Sequence, residues 1–131
     1  MLDHVSIAVR DIAQAGRFYD AVMEALGVPC VWREEDAIGY GRRNGPDDDA
    51  RSYLTIRRGR APADAAFHWC FRAADRAAVR AFHAAGLVAG GTDDGAPGLR
   101  PHYHSSYYAA FLRDPDGNRV EAVCHRAERD A

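Results

Sequence analysis

Lysine is absent from this 131-residue chain, so all 17 of its basic side chains are arginine. Guanidinium forks suit bidentate contacts to carboxylate or phosphate, but an all-arginine complement also follows from genomic bias, which is the simpler reading. Acidic residues outnumber basic ones, the formal net charge is −2, and basic residues cluster only in short pairs such as Arg57-Arg58. A phosphate-neutralising face is therefore not expected, and nucleic acid is not an expected partner. No apolar run approaches the roughly 18 residues of a membrane span. The opening Met1-Leu2-Asp3-His4 has no basic stretch leading into an apolar one, so no secretory signal is expected. Cysteine is scarce: Cys30, Cys70 and Cys124 are far apart, odd in number and without CxxC spacing. That pattern fits reduced thiols in the cytoplasm, serving as small core hydrophobes, better than a disulfide framework.

What is present is ordinary for a globular chain, with 47% hydrophobic and 27% charged residues. A chain of this length buries roughly two-thirds of its unfolded surface, enough for a core without staples. The pattern along it is a repeat. Leu2 to Val9 alternates like a half-buried strand, Asp11 is an N-cap with Gln14 completing a capping-box-like arrangement, and a helical stripe runs from Ile12 to Leu26 before Gly27. Phe67 to Phe71 is a second strand, followed by Asp75 as cap and a helix carrying Val79, Phe82 and Ala85, ended by Gly86. His4 and His68, Asp11 and Asp75, and Phe18 and Phe82 are each separated by 64 residues. Such self-similarity indicates two copies of one structural unit.

Extended segments follow each helix: Pro29 to Arg33, Ala37 to Arg42 and Ser52 to Arg58, then Tyr107 to Arg113 and Asn118 to His125. Asp114-Pro115-Asp116-Gly117 between the last two is a hairpin turn, with Pro setting one corner and Gly supplying positive φ. The breaker-rich stretch Gly90 to Pro101 reads as a long loop. Each half is therefore βαβββ, in an α+β fold of paired modules: module one 1–58, linker 59–66, module two 67–125 and a polar tail 126–131. Neither half has enough core alone, so the whole chain is expected to be a single domain.

Two histidines at equivalent strand positions can converge on one point if pseudo-symmetry relates the halves. Glu121 is a charge within the apolar run Val120-Glu121-Ala122-Val123, where a carboxylate must be paired, protonated or metal-bound. His4, His68 and Glu121 together are a facial set that leaves open positions on Fe(II), Mn(II) or Zn(II). Each residue taken singly is also consistent with an exposed or hydrogen-bonded side chain. His102, His104 and Tyr107 follow the Gly90–Pro101 stretch and are candidates to line a pocket as acid, base or supporting groups. Tyr53, Thr55 and Arg57 share one strand face and, with Arg100, are candidates for contact with substrate oxygens. His125 shares parity with Glu121 but sits near a strand end, and His83 on the second helix is expected to be solvated. Trp32 and Trp69 are candidates for core or pocket wall, with core the simpler assignment.

The strand-start histidine in each half, the paired βαβββ pattern and the closing Asp114-Pro115-Asp116-Gly117-Asn118-Arg119-Val120-Glu121 resemble the vicinal oxygen chelate superfamily. That group includes glyoxalase I, extradiol dioxygenases, and fosfomycin- and bleomycin-resistance proteins. The resemblance spans essentially the whole chain. It implies a curved mixed-sheet cup, one divalent metal ion (Fe, Mn, Zn or Ni) on His4, His68 and Glu121, a small oxygenated substrate and a homodimer. Glyoxalase I usually adds a Glu ligand on the last strand of its first module, but Ser52-Tyr53-Leu54-Thr55-Ile56-Arg57 contains no carboxylate. The three-ligand set is closer to extradiol dioxygenases and fosfomycin-type enzymes. The expectation is a metal-dependent lyase, isomerase or dioxygenase; the rival is a metal-free protein that sequesters a small ligand, as bleomycin-resistance proteins do.

Overall fold

Alternation at the N-terminus produces strand β1, His4–Val9, with Ile7 and Val9 buried and His4 and Ser6 on the other face. The computed structural model describes residues 1–60 and 67–128. Helix α1, Ile12–Ala25, starts where the Asp11 carboxylate accepts from the Ala13 and Gln14 N–H groups. It stops at Leu26, with Gly27 at φ 74°. Strands β2 (Cys30–Arg33), β3 (Ala37–Gly41) and β4 (Tyr53–Arg58) follow, and β4 returns parallel to β1. The second half repeats the plan with β5 (His68–Arg72), α2 (Arg76–Val88), β6 (Thr92–Leu99), β7 (Tyr108–Arg113) and β8 (Arg119–Cys124). Two open four-stranded mixed sheets result, ordered β1-β4-β3-β2 and β5-β8-β7-β6.

Each helix covers its own sheet and the two helices pack on each other, so one apolar cluster spans both halves. Phe18, Tyr19, Val22 and Ile56 come from the first half, and Val79, Phe82, Leu112 and Val120 from the second. The face of each sheet away from its helix carries the polar strand residues.

The Asp114–Gly117 turn does more than reverse the chain. Its buried Asp114 carboxylate accepts from the Tyr19 hydroxyl at 2.8 Å and from the Asp116 and Asn118 backbone N–H groups at 2.9 and 2.8 Å. The Asn118 amide donates to the Ala8 carbonyl, and the Arg10 N–H donates to Asp116. The hairpin therefore latches the second module onto the end of β1 and the start of α1.

Several sequence expectations are corrected. Gly86 does not end the second helix, which runs on to Val88 before Gly90 at φ 100°. Gly86 is buried where a Cβ would collide with the Leu112 side chain and fall 3.0 Å from Val22, so its role is close packing. The Gly90–Pro101 stretch is not a loop. Residues 92–99 form β6, an edge strand with register breaks around Gly95, a place where breakers are tolerated because one side needs no partner. All three cysteines are free, but only Cys124 is buried; Cys30 and Cys70 are exposed. His83 is not solvated: its side chain is 12% exposed and its Nε2 lies 2.8 Å from an Asp93 carboxylate oxygen. Trp32 and Trp69 are half-buried, with Trp69 packed against the core edge. Most of the expected linker, and the last three residues of the tail, lie outside the described residues.

Candidate metal centre

Glu121 sits in the middle of β8 between buried Val120 and Ala122 and is itself 2% exposed. One carboxylate oxygen accepts the Tyr107 hydroxyl at 2.5 Å, and the other lies 3.3 Å from Nε2 of His68. Burial, then the hydrogen bond to the carboxylate, pushes the Tyr107 phenol well above its ordinary range, so it stays a donor. Cys70 lies directly across from Glu121 in the β5–β8 pairing. Although the residue as a whole is exposed, burial around its thiol and the nearby carboxylate push that group up to about 12, which keeps it protonated.

His4 stands on the other sheet. Its Nδ1 is 2.7 Å from an Asp3 carboxylate oxygen, which leaves Nε2 as the nitrogen free to bind. Asp3 is held in turn by the Asn44 amide, and these contacts keep its carboxyl below the usual range. The structure thus brings His68 and Glu121 together but leaves His4 apart from them. Among the described residues no group of three or more His, Cys, Asp or Glu is gathered to hold a metal.

Strand register locates the missing first-module carboxylate. Ser6 and Cys70 are related by the same 64-residue offset as the two histidines. Cys70 pairs with Glu121, and Ser6 pairs with Thr55. Thr55, 2% exposed, therefore occupies in the first sheet the place that Glu121 has in the second.

Tyr53, Thr55 and Arg57 do share a face. With Asp3, His4 and Arg43 they line a cleft of about 300 Å³. The Arg43 guanidinium lies 5.3 Å above the Trp32 ring and 5.0 Å above the Tyr53 ring, and it donates to the Tyr53 hydroxyl at 3.2 Å. Gly39 leaves room for this shelf, since a Cβ there would collide with the Tyr53 hydroxyl and Trp32 Nε1. Arg43 is not among the sequence candidates, and Trp32 is expected there only as core or pocket wall. Only the pairing of β2, β3 and β4 puts them beside Tyr53.

The remaining candidates separate. Tyr107 reaches Glu121. His104 accepts the Ser106 N–H on Nδ1, which places the proton of its neutral ring on Nε2 for donation to His125 Nδ1 at 2.9 Å. Both rings stand edge-on to Tyr107 at 5.4 Å. His102 packs at a tilt on the exposed Tyr103, whose ring in turn lies 4.8 Å from that of Tyr107. Arg100 donates to the Gly98 and Ala96 carbonyls and caps the Phe111 ring, so it braces β6.

The profile of the Glyoxalase/Bleomycin resistance protein/Dioxygenase superfamily matches residues 1–122. The chain belongs to that superfamily. A glyoxalase/bleomycin resistance protein from Albidiferax ferrireducens is 31% identical and superposes with a TM-score of 0.77, covering 94% of this chain and 97% of its own. The fold is shared at lower identity by a fosfomycin resistance protein from Mesorhizobium loti (17%, TM-score 0.65, covering 94% and 90%). A glyoxalase I mutant from Zea mays also shares it (21%, TM-score 0.63), with 93% of this chain matching 46% of that longer one. No curated protein sequence matches the chain.

The donor set suits the divalent metal that members of this superfamily commonly bind. A buried carboxylate has a hydrogen-bonded supporting phenol, one imidazole stands beside it, and a second imidazole is oriented by its own carboxylate.

Proposed function

We propose that the protein is a metal-dependent enzyme whose centre is formed by His68 and Glu121 of one subunit with His4 of a second copy. The observation carrying this reading is the buried Glu121 carboxylate, held by Tyr107 beside His68. The separation of His4 within the chain supports a shared site. A two-fold axis that set each first half against the partner's second half would bring His4 of one copy to His68 and Glu121 of the other. Exposed Leu2 and Phe67, flanking His4 and His68, supply apolar surface for that contact.

A divalent ion held there would act as a Lewis acid toward two neighbouring oxygens of a small substrate, in lyase, isomerase or dioxygenase chemistry. The chain's own residues do the rest. Asp3 orients the His4 ring, and Tyr107 fixes the Glu121 carboxylate while offering a protonated phenol at the edge of the site. Thr55 in place of a carboxylate leaves no first-module base, which favours chemistry other than the glyoxalase I proton transfer. Three free cysteines suit a reducing, cytoplasmic setting.

Metal content of the purified protein, followed by metal titration of His4→Ala and Glu121→Ala, tests the reading. Each variant alone should lose binding. Mixing the two should restore about a quarter of the sites, because only heterodimers rebuild one complete set. A wild-type protein that takes up no Fe(II), Mn(II), Ni(II) or Zn(II) would instead point to metal-free ligand sequestration.

A further inference from the structure

We propose that the cleft beside His4 is an anion subsite, in which Arg43 and Arg57 bind an oxyanion group, carboxylate or phosphate, carried by the substrate. The proposal builds on the reading of His4 as part of the metal centre and names the class of substrate that centre takes.

Charge bookkeeping within the cleft carries the argument. Of the arginines in this half, Arg33, Arg51 and Arg58 each have a carboxylate partner, Asp20, Asp48 and Asp36, whereas Arg17 and Arg42, which do not line the cleft, have none among the described residues. Arg43 and Arg57 have none among the described residues. Arg43 uses one donor on the Tyr53 hydroxyl and leaves the rest of its fork free. Asp3 is the cleft's acidic member, but one oxygen is engaged by His4 and the other by Asn44 at 2.6 Å. Two guanidiniums therefore face a single carboxylate whose oxygens are already occupied.

The site is also built in advance. The Arg43 guanidinium lies over both the Trp32 and Tyr53 rings, and these two cation–π contacts favour its position at the cleft before an anion binds. Arg57 enters the same cleft from further along the same face of β4. Tyr53, whose hydroxyl accepts from Arg43, also pairs with His4 across β1 and β4, so a bound anion would lie next to the strand that carries the proposed ligand.

The test uses full-length, metal-stripped protein, so that its result does not depend on metal binding. Benzoate, inorganic phosphate and the neutral benzamide are titrated while the two tryptophan indole N–H resonances are followed by NMR. Benzoate, phosphate or both should shift the Trp32 signal saturably, with Trp69 unmoved and benzamide silent. A response confined to benzoate assigns a carboxylate, and one confined to phosphate assigns a phosphoryl group. Arg43→Gln and Arg57→Gln, each first checked for a wild-type-like spectrum, should each weaken the anion about tenfold. Equal binding of benzamide and benzoate, unchanged affinity in both variants, or no saturable shift with either anion would overturn the subsite. A protein that binds the anion but no metal would overturn the metal reading and leave the subsite standing.

Discussion

The Tyr107 hydroxyl donates to the Glu121 carboxylate, joining the turn after β6 to the centre of β8. That bond satisfies one oxygen of a carboxylate with almost no access to water. Tyr107→Phe should leave it unpaired, costing about 1–3 kcal/mol of stability in chemical denaturation. Metal affinity should fall about 10–100-fold, because the carboxylate loses the group that orients it. Unchanged affinity in a metal titration would mean that Tyr107 only fills space.

Thr55 occupies the first-sheet counterpart of the Glu121 position. Thr55→Glu should therefore lower the stability of the metal-free protein, since it buries a carboxylate with no partner provided for it. Added Zn(II) or Ni(II) should recover that stability, measured as a metal-dependent rise in Tm larger than in wild type. Equal metal-induced shifts in the two proteins would show that the position does not face the centre.

Acid stability should divide between two kinds of aspartate. His83 and a backbone N–H hold the Asp93 carboxyl below its ordinary 3.8. The native state therefore binds fewer protons than the unfolded one just below that value, and Asp93 stabilises above it and loses its effect as pH falls. Asp114 is raised above 3.8 by burial, against the pull of Asn118 and Tyr19. Its ionised form is the penalised one, so its contribution declines as pH rises through the window above 3.8. Asp93→Asn should flatten the rise in Tm from about pH 2 to about pH 5, and a steeper rise would contradict the assignment.

Gly86 lies in the interior of α2, against Leu112, Val22 and Phe18. By helix propensity alone, Gly86→Ala should stabilise by roughly 1 kcal/mol. The crowding predicts the opposite sign, a loss of about 1–3 kcal/mol in equilibrium unfolding, because the added methyl overpacks the junction between the modules.

The amino-acid sequence by itself determined what depends on neighbours along the chain. Asp11 and Asp75 cap the helices because capping uses the next turn's N–H groups. The Asp114–Gly117 turn follows from the φ preferences of its residues, and the 64-residue repeat exposed the equivalence of the two modules. Glu121 was legible as a carboxylate that needed partners, because its flanks are apolar. Tertiary structure decided which partners: Tyr107 and His68 approach it, whereas His4 lies on a different sheet. It also turned the breaker-rich 92–99 segment into an edge strand, since β7 supplied hydrogen bonds that local propensity does not register. Gly86 became a packing residue, His83 an Asp93 partner, and Arg43 the cover of an aromatic shelf. Those outcomes rest on contacts between residues far apart in the chain or on paired strands, where periodicity carries no information.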